Sequence, residues 1–173
     1  MRFLFPSSTA SQATLARLFF FAKNIWYVFD MKKHTFAIFI FIIALGIFFR
    51  FFRLTDAPLG LYPDEAMNGN NALEAQATSD YNFFYPENNG REGFFINIQS
   101  AALALFGREP WVLRAVSGVM GTLTIVAVFF ITYELFSQRG NKRKRSAAIT
   151  IALIAAFFTA TSYWHVHFSR IGF

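Results

Sequence analysis

The chain has 173 residues, of which 55% are hydrophobic, 20% aromatic and only 15% charged, with 25 phenylalanines, no cysteine and a net charge of +6. This balance excludes an ordinary soluble domain, and the lack of thiols excludes disulfides, thiolate metal sites and cysteine nucleophiles. The positive charge does not point to nucleic acid: its densest block, Arg139, Lys142, Arg143, Lys144 and Arg145, has no aromatic residue interleaved to stack on a base.

Residues 1–34 read as a cytoplasmic N-terminal segment. Leu15 to Phe29 is apolar but interrupted by Arg17, Lys23 and Asn24 at near-helical spacing, which suits an amphipathic helix in the membrane interface. Alternatively translation starts at Met31, because Met31-Lys32-Lys33 ahead of an apolar run is a common bacterial inner-membrane start. Three stretches, 35–52, 112–136 and 146–163, are each long enough to cross a hydrocarbon core of ~30 Å at ~1.5 Å per residue. Arg50, Arg114 and Glu134 sit near the ends of these runs, where long side chains can snorkel to the headgroups. The fold class expected is therefore an all-α membrane protein with three transmembrane helices.

Basic residues mark the cytoplasmic side. Lys32, Lys33 and the connector 137–145 go inside, which puts 53–111 and 164–173 outside the cytoplasm, in a multi-pass protein of a prokaryotic inner membrane. Membrane lipids are then expected partners, and nucleic acid is not.

The outer loop 53–111 holds eight of the chain's ten acidic residues. A first helix is expected from Glu65 to about Thr78, capped by Asp64, with breakers at Ser79-Asp80 and Pro86 to Gly90. In a second, Phe94, Phe95, Ile98, Ala102, Leu105 and Phe106 share one face, and Gly107 ends it. Two amphipathic helices lying along the outer membrane surface fit this pattern. Pro110 opens the next span, where a missing backbone donor does little harm. Ser117, Gly118, Gly121 and Thr122 form small-xxx-small pairs that allow close helix packing.

Asp64 and Glu65 are the leading candidates for chemistry. A carboxylate fixed at the membrane surface can act as general base on a hydroxyl or ligate a divalent cation, although both residues also suit a helix start. Arg114 and Arg170 can match phosphate oxygens with a planar fork of donors, whether on a substrate or on a lipid headgroup. His165 and His167 would point about 200° apart on a helix, so no metal site is assigned to them. Glu87, Arg91 and Glu92 read as solvated loop charges. No P-loop, dinucleotide-binding glycine motif, Gly-x-Ser-x-Gly or His-Glu-x-x-His occurs.

Several short motifs follow one another in a characteristic order. Arg50-Phe51-Phe52-Arg53-Leu54 ends the first span, and Pro63-Asp64-Glu65-Ala66 follows. Glu92-Gly93-Phe94-Phe95 leads to Ala104-Leu105-Phe106-Gly107, Val112-Leu113-Arg114 opens the second span, and the chain ends in Trp164 to Phe173. Over residues 36–173 this order resembles the N-terminal part of the polytopic, GT-C-type glycosyltransferases that use lipid-phosphate sugars. That group includes protein O-mannosyltransferases and the lipid A aminoarabinose transferase. The resemblance implies transfer of a sugar from a polyprenyl-phosphate donor to a hydroxyl on a protein, lipid or glycan, with inversion, on the extracytoplasmic face. It maps the catalytic aspartate onto Asp64, with Glu65 beside it, and leaves room for a divalent cation. Members of the group have many more spans, so the chain is expected to be an N-terminal fragment, inactive alone. A non-catalytic membrane scaffold whose outer loop binds a partner is the alternative from another class. A membrane metallohydrolase using Asp64, His165 and His167 is a third.

Overall fold

A computed structural model describes residues 32–87, 90–137 and 141–172. The readings made for the segment before Lys32, for Asn88 and Asn89, for Arg139 and for Phe173 fall outside the described residues. The chain divides into two compact units, Met1–Ile40 and Phe41–Phe173. The described part of the first is the start of helix α1 (Lys33–Phe51), which continues into the second.

The second unit holds the remaining elements: α2 (Pro63–Thr78), β1 (Phe84–Tyr85), β2 (Arg91–Glu92), α3 (Gly93–Phe106), α4 (Pro110–Phe136), α5 (Lys142–Thr161) and α6 (Tyr163–Phe168). The described chain is mostly helical, and α1, α4 and α5 are long and apolar enough to cross a membrane. The departure from an all-α fold is a short antiparallel ladder between α2 and α3, pairing Phe84 with Glu92 and Tyr85 with Arg91.

Local sequence explains where the helices start. Pro63 occupies the first turn of α2, so the residue before it, Tyr62, is the N-cap in an extended conformation. Asp64, expected as the cap, instead lies inside the first turn with Glu65, where both carboxylates face the positive helix end. The start of α5 also differs from the expected connector. Asn141 caps it, its side-chain oxygen accepting from the Lys144 amide at 3.1 Å, so Lys142 to Arg145 belong to the helix. At the other end α5 stops at Thr161, and the chain turns at Ser162 into α6.

Small residues let the long helices approach closely. A Cβ on Gly46 would fall 2.4 Å from Ile125 Cδ1, and one on Gly118 would fall 2.9 Å from Phe51 Cζ. As α1 advances α4 recedes, so the two are antiparallel. α5 contributes a stripe of alanines four residues apart, Ala148, Ala152, Ala156 and Ala160, each at most 1% exposed. Its most extensive contact is with α4. Large apolar side chains such as Phe41, Leu123, Ile131 and Phe158 point outward instead.

The same inversion occurs in α3. Gln99 and Ser100 are fully buried, and the Ser100 hydroxyl donates to the Ala72 carbonyl of α2 at 2.8 Å. Phe94, Leu105 and Phe106 are 65–79% exposed. The apolar face visible in the sequence is thus the outward one. In water such an arrangement would expose what the hydrophobic effect buries.

Candidate functional site

The C-terminal ends of α1 and α5 and the N-terminal end of α4 meet at one end of the bundle, beneath α2 and α3. The candidate residues collect there but separate into distinct environments.

Glu65 and Arg114 form the centre. Arg114 Nε lies 2.8 Å from Glu65 Oε1 and Nη2 lies 3.3 Å from Oε2, a bidentate pair in which the Arg114 side chain is 3% and the Glu65 side chain 0% exposed. Each remaining lone-pair direction of Glu65 is also used. Oε1 accepts from the Gly172 amide at 3.1 Å, and Oε2 accepts from the Tyr62 amide at 3.3 Å, closing the start of α2. Arg114 donates further to the carbonyls of Pro58, at 2.8 Å, and Gly60. A buried ion pair is tolerated only when such extra hydrogen bonds satisfy it. This network joins α2, α4, the loop before α2 and the final described residues.

Gly172 is held on both sides. Its carbonyl accepts from Asn68 Nδ2 at 3.3 Å and Gln99 Nε2 at 3.0 Å while its amide donates to Glu65. A Cβ there would sit 2.9 Å from Leu113 Cβ and 3.0 Å from Glu65 Cγ, so close approach requires glycine.

Asp64 faces away from this network, since successive helical residues point about 100° apart. Its side chain is 43% exposed, and Oδ2 lies 3.2 Å from Arg91 Nη2 on β2. Arg91 is therefore not simply a solvated loop charge. It reaches from β2 to the start of α2, where it meets the more exposed carboxylate of the Asp64–Glu65 pair.

Arg50 is fully buried, which corrects the expectation that it snorkels; Arg114 corrects it likewise. Arg50 Nη1 donates to the carbonyls of Gly46 at 2.9 Å and Ala160 at 3.2 Å, and Nη2 to that of Thr159 at 3.3 Å. Nη2 also lies 2.5 Å from His165 Nδ1. Since arginine has no lone pair to offer, Nδ1 must be the acceptor and the His165 proton must sit on Nε2. Partial burial, and then the neighbouring Arg50 charge, hold His165 below the ordinary histidine range. His167, on the same short helix, stacks on Tyr163 with ring centroids 5.7 Å apart. Among the described residues no three His, Asp or Glu side chains are grouped to hold a metal ion.

Arg170 closes the end of α1. Its Nη1 donates to the carbonyls of Phe49 and Phe52 at 2.9 Å and of Arg50 at 3.2 Å, and its Nη2 to that of Ala57 at 2.8 Å. These include acceptors that a helix end leaves without intrahelical partners. The structure thus brings Glu65 and Arg114 together, keeps Asp64 apart with Arg91, and sets Arg170 at a helix end. Sequence reading missed Arg50, Arg91, Asn68, Gln99 and Gly172 as members of this region. For Arg50 a signal existed, because an ionisable residue inside an apolar run marks a site by default.

Against known proteins the chain has no match: no family model, no curated protein and no solved structure is similar to it.

Proposed function

We propose that the chain is the N-terminal part of an integral-membrane glycosyltransferase of the prokaryotic inner membrane. It moves a sugar from a polyprenyl-phosphate donor to an acceptor hydroxyl on a protein, lipid or glycan. In this reading α1, α4 and α5 are membrane spans, and α2, α3 and the 164–172 segment lie on the extracytoplasmic side. The outward apolar face of α3 then rests on lipid.

The observation that carries the reading is the opposite environment of two neighbouring carboxylates. Glu65 is saturated by Arg114, Gly172 and Tyr62, and it fixes the first turn of α2. Asp64, one residue earlier, is left accessible on that rigid turn, with Arg91 beside it. A base needs this combination of fixed position and open access. Asp64 takes the proton of the acceptor hydroxyl, the hydroxyl oxygen bonds to the anomeric carbon, and the bond from that carbon to the lipid phosphate breaks. Direct displacement inverts the sugar. The Arg91 guanidinium, 3.2 Å away, holds the Asp64 carboxylate in place. Glu65 and Arg114 act as positioning residues, since neither has the exposure to meet a substrate.

The test is Asp64→Asn in the complete protein, assayed in membranes for transfer from polyprenyl-phosphate-linked radiolabelled sugars. Transfer should fall by ~10²–10⁴-fold, the usual loss for a general base, with expression and insertion unchanged. Near-normal transfer would remove Asp64 from the chemistry. No transfer by the unsubstituted complete protein with any such donor would count against the enzyme itself.

A further inference from the structure

An open groove of about 460 Å³ runs beside the last turn of α1 and plays no part in the roles given above. Its wall is aromatic: Phe48, Phe49 and Phe52 are 38–56% exposed, with Phe48 ring centroids 5.7 Å from Phe49 and 4.9 Å from Phe52. Its rim carries Arg53, Asp56 and Arg170.

The rim has a net positive charge. Arg53 Nε donates to Asp56 Oδ2 at 3.0 Å. That bond, followed by one from the Thr55 hydroxyl and the Arg53 charge, holds the Asp56 carboxyl below its usual range, so the Arg53–Asp56 pair is an ionised, neutral unit. Arg170 makes no ion pair with a carboxylate among the described residues. Its partners are carbonyls around the end of α1. A helix C-terminus supplies only about half a negative charge, so a positive excess remains where the apolar wall meets the rim. The wall continues along the outward face of α1 through Phe41, which is 64% exposed. A free phosphate would use the rim alone, whereas an amphiphile with one negative charge matches both rim and wall.

We propose that this groove is a binding site for one anionic phospholipid. The phosphodiester lies at Arg53 and Arg170, and an acyl chain lies over Phe48 and Phe52. The inference rests on α1 spanning a membrane and is independent of glycosyl transfer. Neither Asp64 nor Glu65 lines the groove, so an ordinary membrane lipid is favoured over the sugar carrier.

Native mass spectrometry of the full chain, released from detergent with defined lipids, tests the proposal. One phosphatidylglycerol should stay bound under conditions that strip phosphatidylcholine. Arg53→Glu should weaken retention by about tenfold or more, the scale expected when a basic contact with an anionic headgroup is reversed. Phe52→Ala should weaken it through the chain contact, and Asp56→Asn should preserve or tighten it. Arg53 is largely exposed, so its variant is expected to fold. If its melting temperature shows otherwise, Phe52→Ala decides. Retention within about twofold of the unsubstituted protein in the deciding variant would overturn the proposal. So would equal retention of phosphatidylcholine, displacement by millimolar inorganic phosphate, or replacement of phosphatidylglycerol by equimolar polyprenyl phosphate.

Discussion

Arg114 and Arg50 lie at the same end of the bundle, 3% and 0% exposed, yet they are stabilised differently. Arg114 faces a carboxylate in bidentate geometry, with loop carbonyls filling most of its remaining donors. Arg50 has carbonyls from its own helix and from α5, together with one imidazole nitrogen. The Thr159 and Ala160 carbonyls belong to the last turn of α5 and Gly46 lies just before the last turn of α1, so Arg50 sits where the C-termini of the two helices converge. Each terminus carries about half a negative charge, so together they approach one counter-charge without a carboxylate. The comparison separates an ion pair, which fails when either member is removed, from a cation set among dipoles, which has no single partner to strand.

The largest effect should come from splitting the pair. Arg114→Met leaves Glu65 as a buried charge with two backbone amides only, and breaking a buried pair costs about 3–5 kcal/mol. Unfolding in detergent, followed by circular dichroism, measures it. The double variant Glu65→Leu/Arg114→Leu should recover part of that loss, because it strands no charge. If the single variant is as stable as the original, the pair does not hold α2 to α4.

Arg50→Met should cost less, about 1–3 kcal/mol, the penalty for buried acceptors left unsatisfied. Methionine fills similar space, and removing the cation leaves no opposite charge behind. A loss equal to that of Arg114→Met would break the distinction between the two sites and imply an anionic partner for Arg50.

These two arginines also show what could be read from the chain alone. The apolar lengths of α1, α4 and α5 follow from composition, and the start of α4 follows from Pro110 at a first-turn position. The same rule applied to Pro63 identifies Tyr62 as the cap, so assigning that place to Asp64 overlooked an available signal. The Asn141 cap of α5 was equally available. The pairing of Glu65 with Arg114 was not, because those residues are 49 positions apart and meet only when α2 folds onto α4. The direction of Arg50 was hidden as well. An arginine near a span end can turn to headgroups or inward, and the choice depends on where Thr159, Ala160 and His165 come to lie. The hairpin is short, with two residues in each strand, and has no alternating apolar pattern to announce it.

A smaller effect should appear with pH. Burial and the Arg50 charge lower the His165 pKa from its ordinary 6.5, so the unfolded chain takes up this proton before the folded chain does. Stability is therefore full above that value and declines as pH falls through it towards the folded pKa. A drop in melting temperature on the order of a few degrees between pH 8 and pH 5.5 is the expected result. His165→Gln, which can offer an acceptor without titrating, should flatten the dependence. An unchanged slope in that variant would place the titrating group elsewhere and remove His165 from the Arg50 contact.

The smallest effect on stability should belong to Asp64, and its size sharpens the contrast with its neighbour. Asp64 and Arg91 form an ion pair in which both side chains reach solvent. Exposed pairs contribute about 0–1 kcal/mol. The loss of a first-turn negative charge near the α2 N-terminus adds about 0.3–1 kcal/mol. Asp64→Asn should thus lower stability by about 0.3–2 kcal/mol, while Glu65→Gln, which removes the charge facing buried Arg114, should lower it more, by about 3–5 kcal/mol. Both variants change one carboxylate to an amide of nearly equal size, one position apart on the same turn. A difference between their unfolding midpoints therefore reports environment rather than residue type. If Asp64→Asn proves as destabilising as Glu65→Gln, Asp64 is a structural residue. A loss of sugar transfer in that variant would then be explained by a damaged fold, with no need for a missing base.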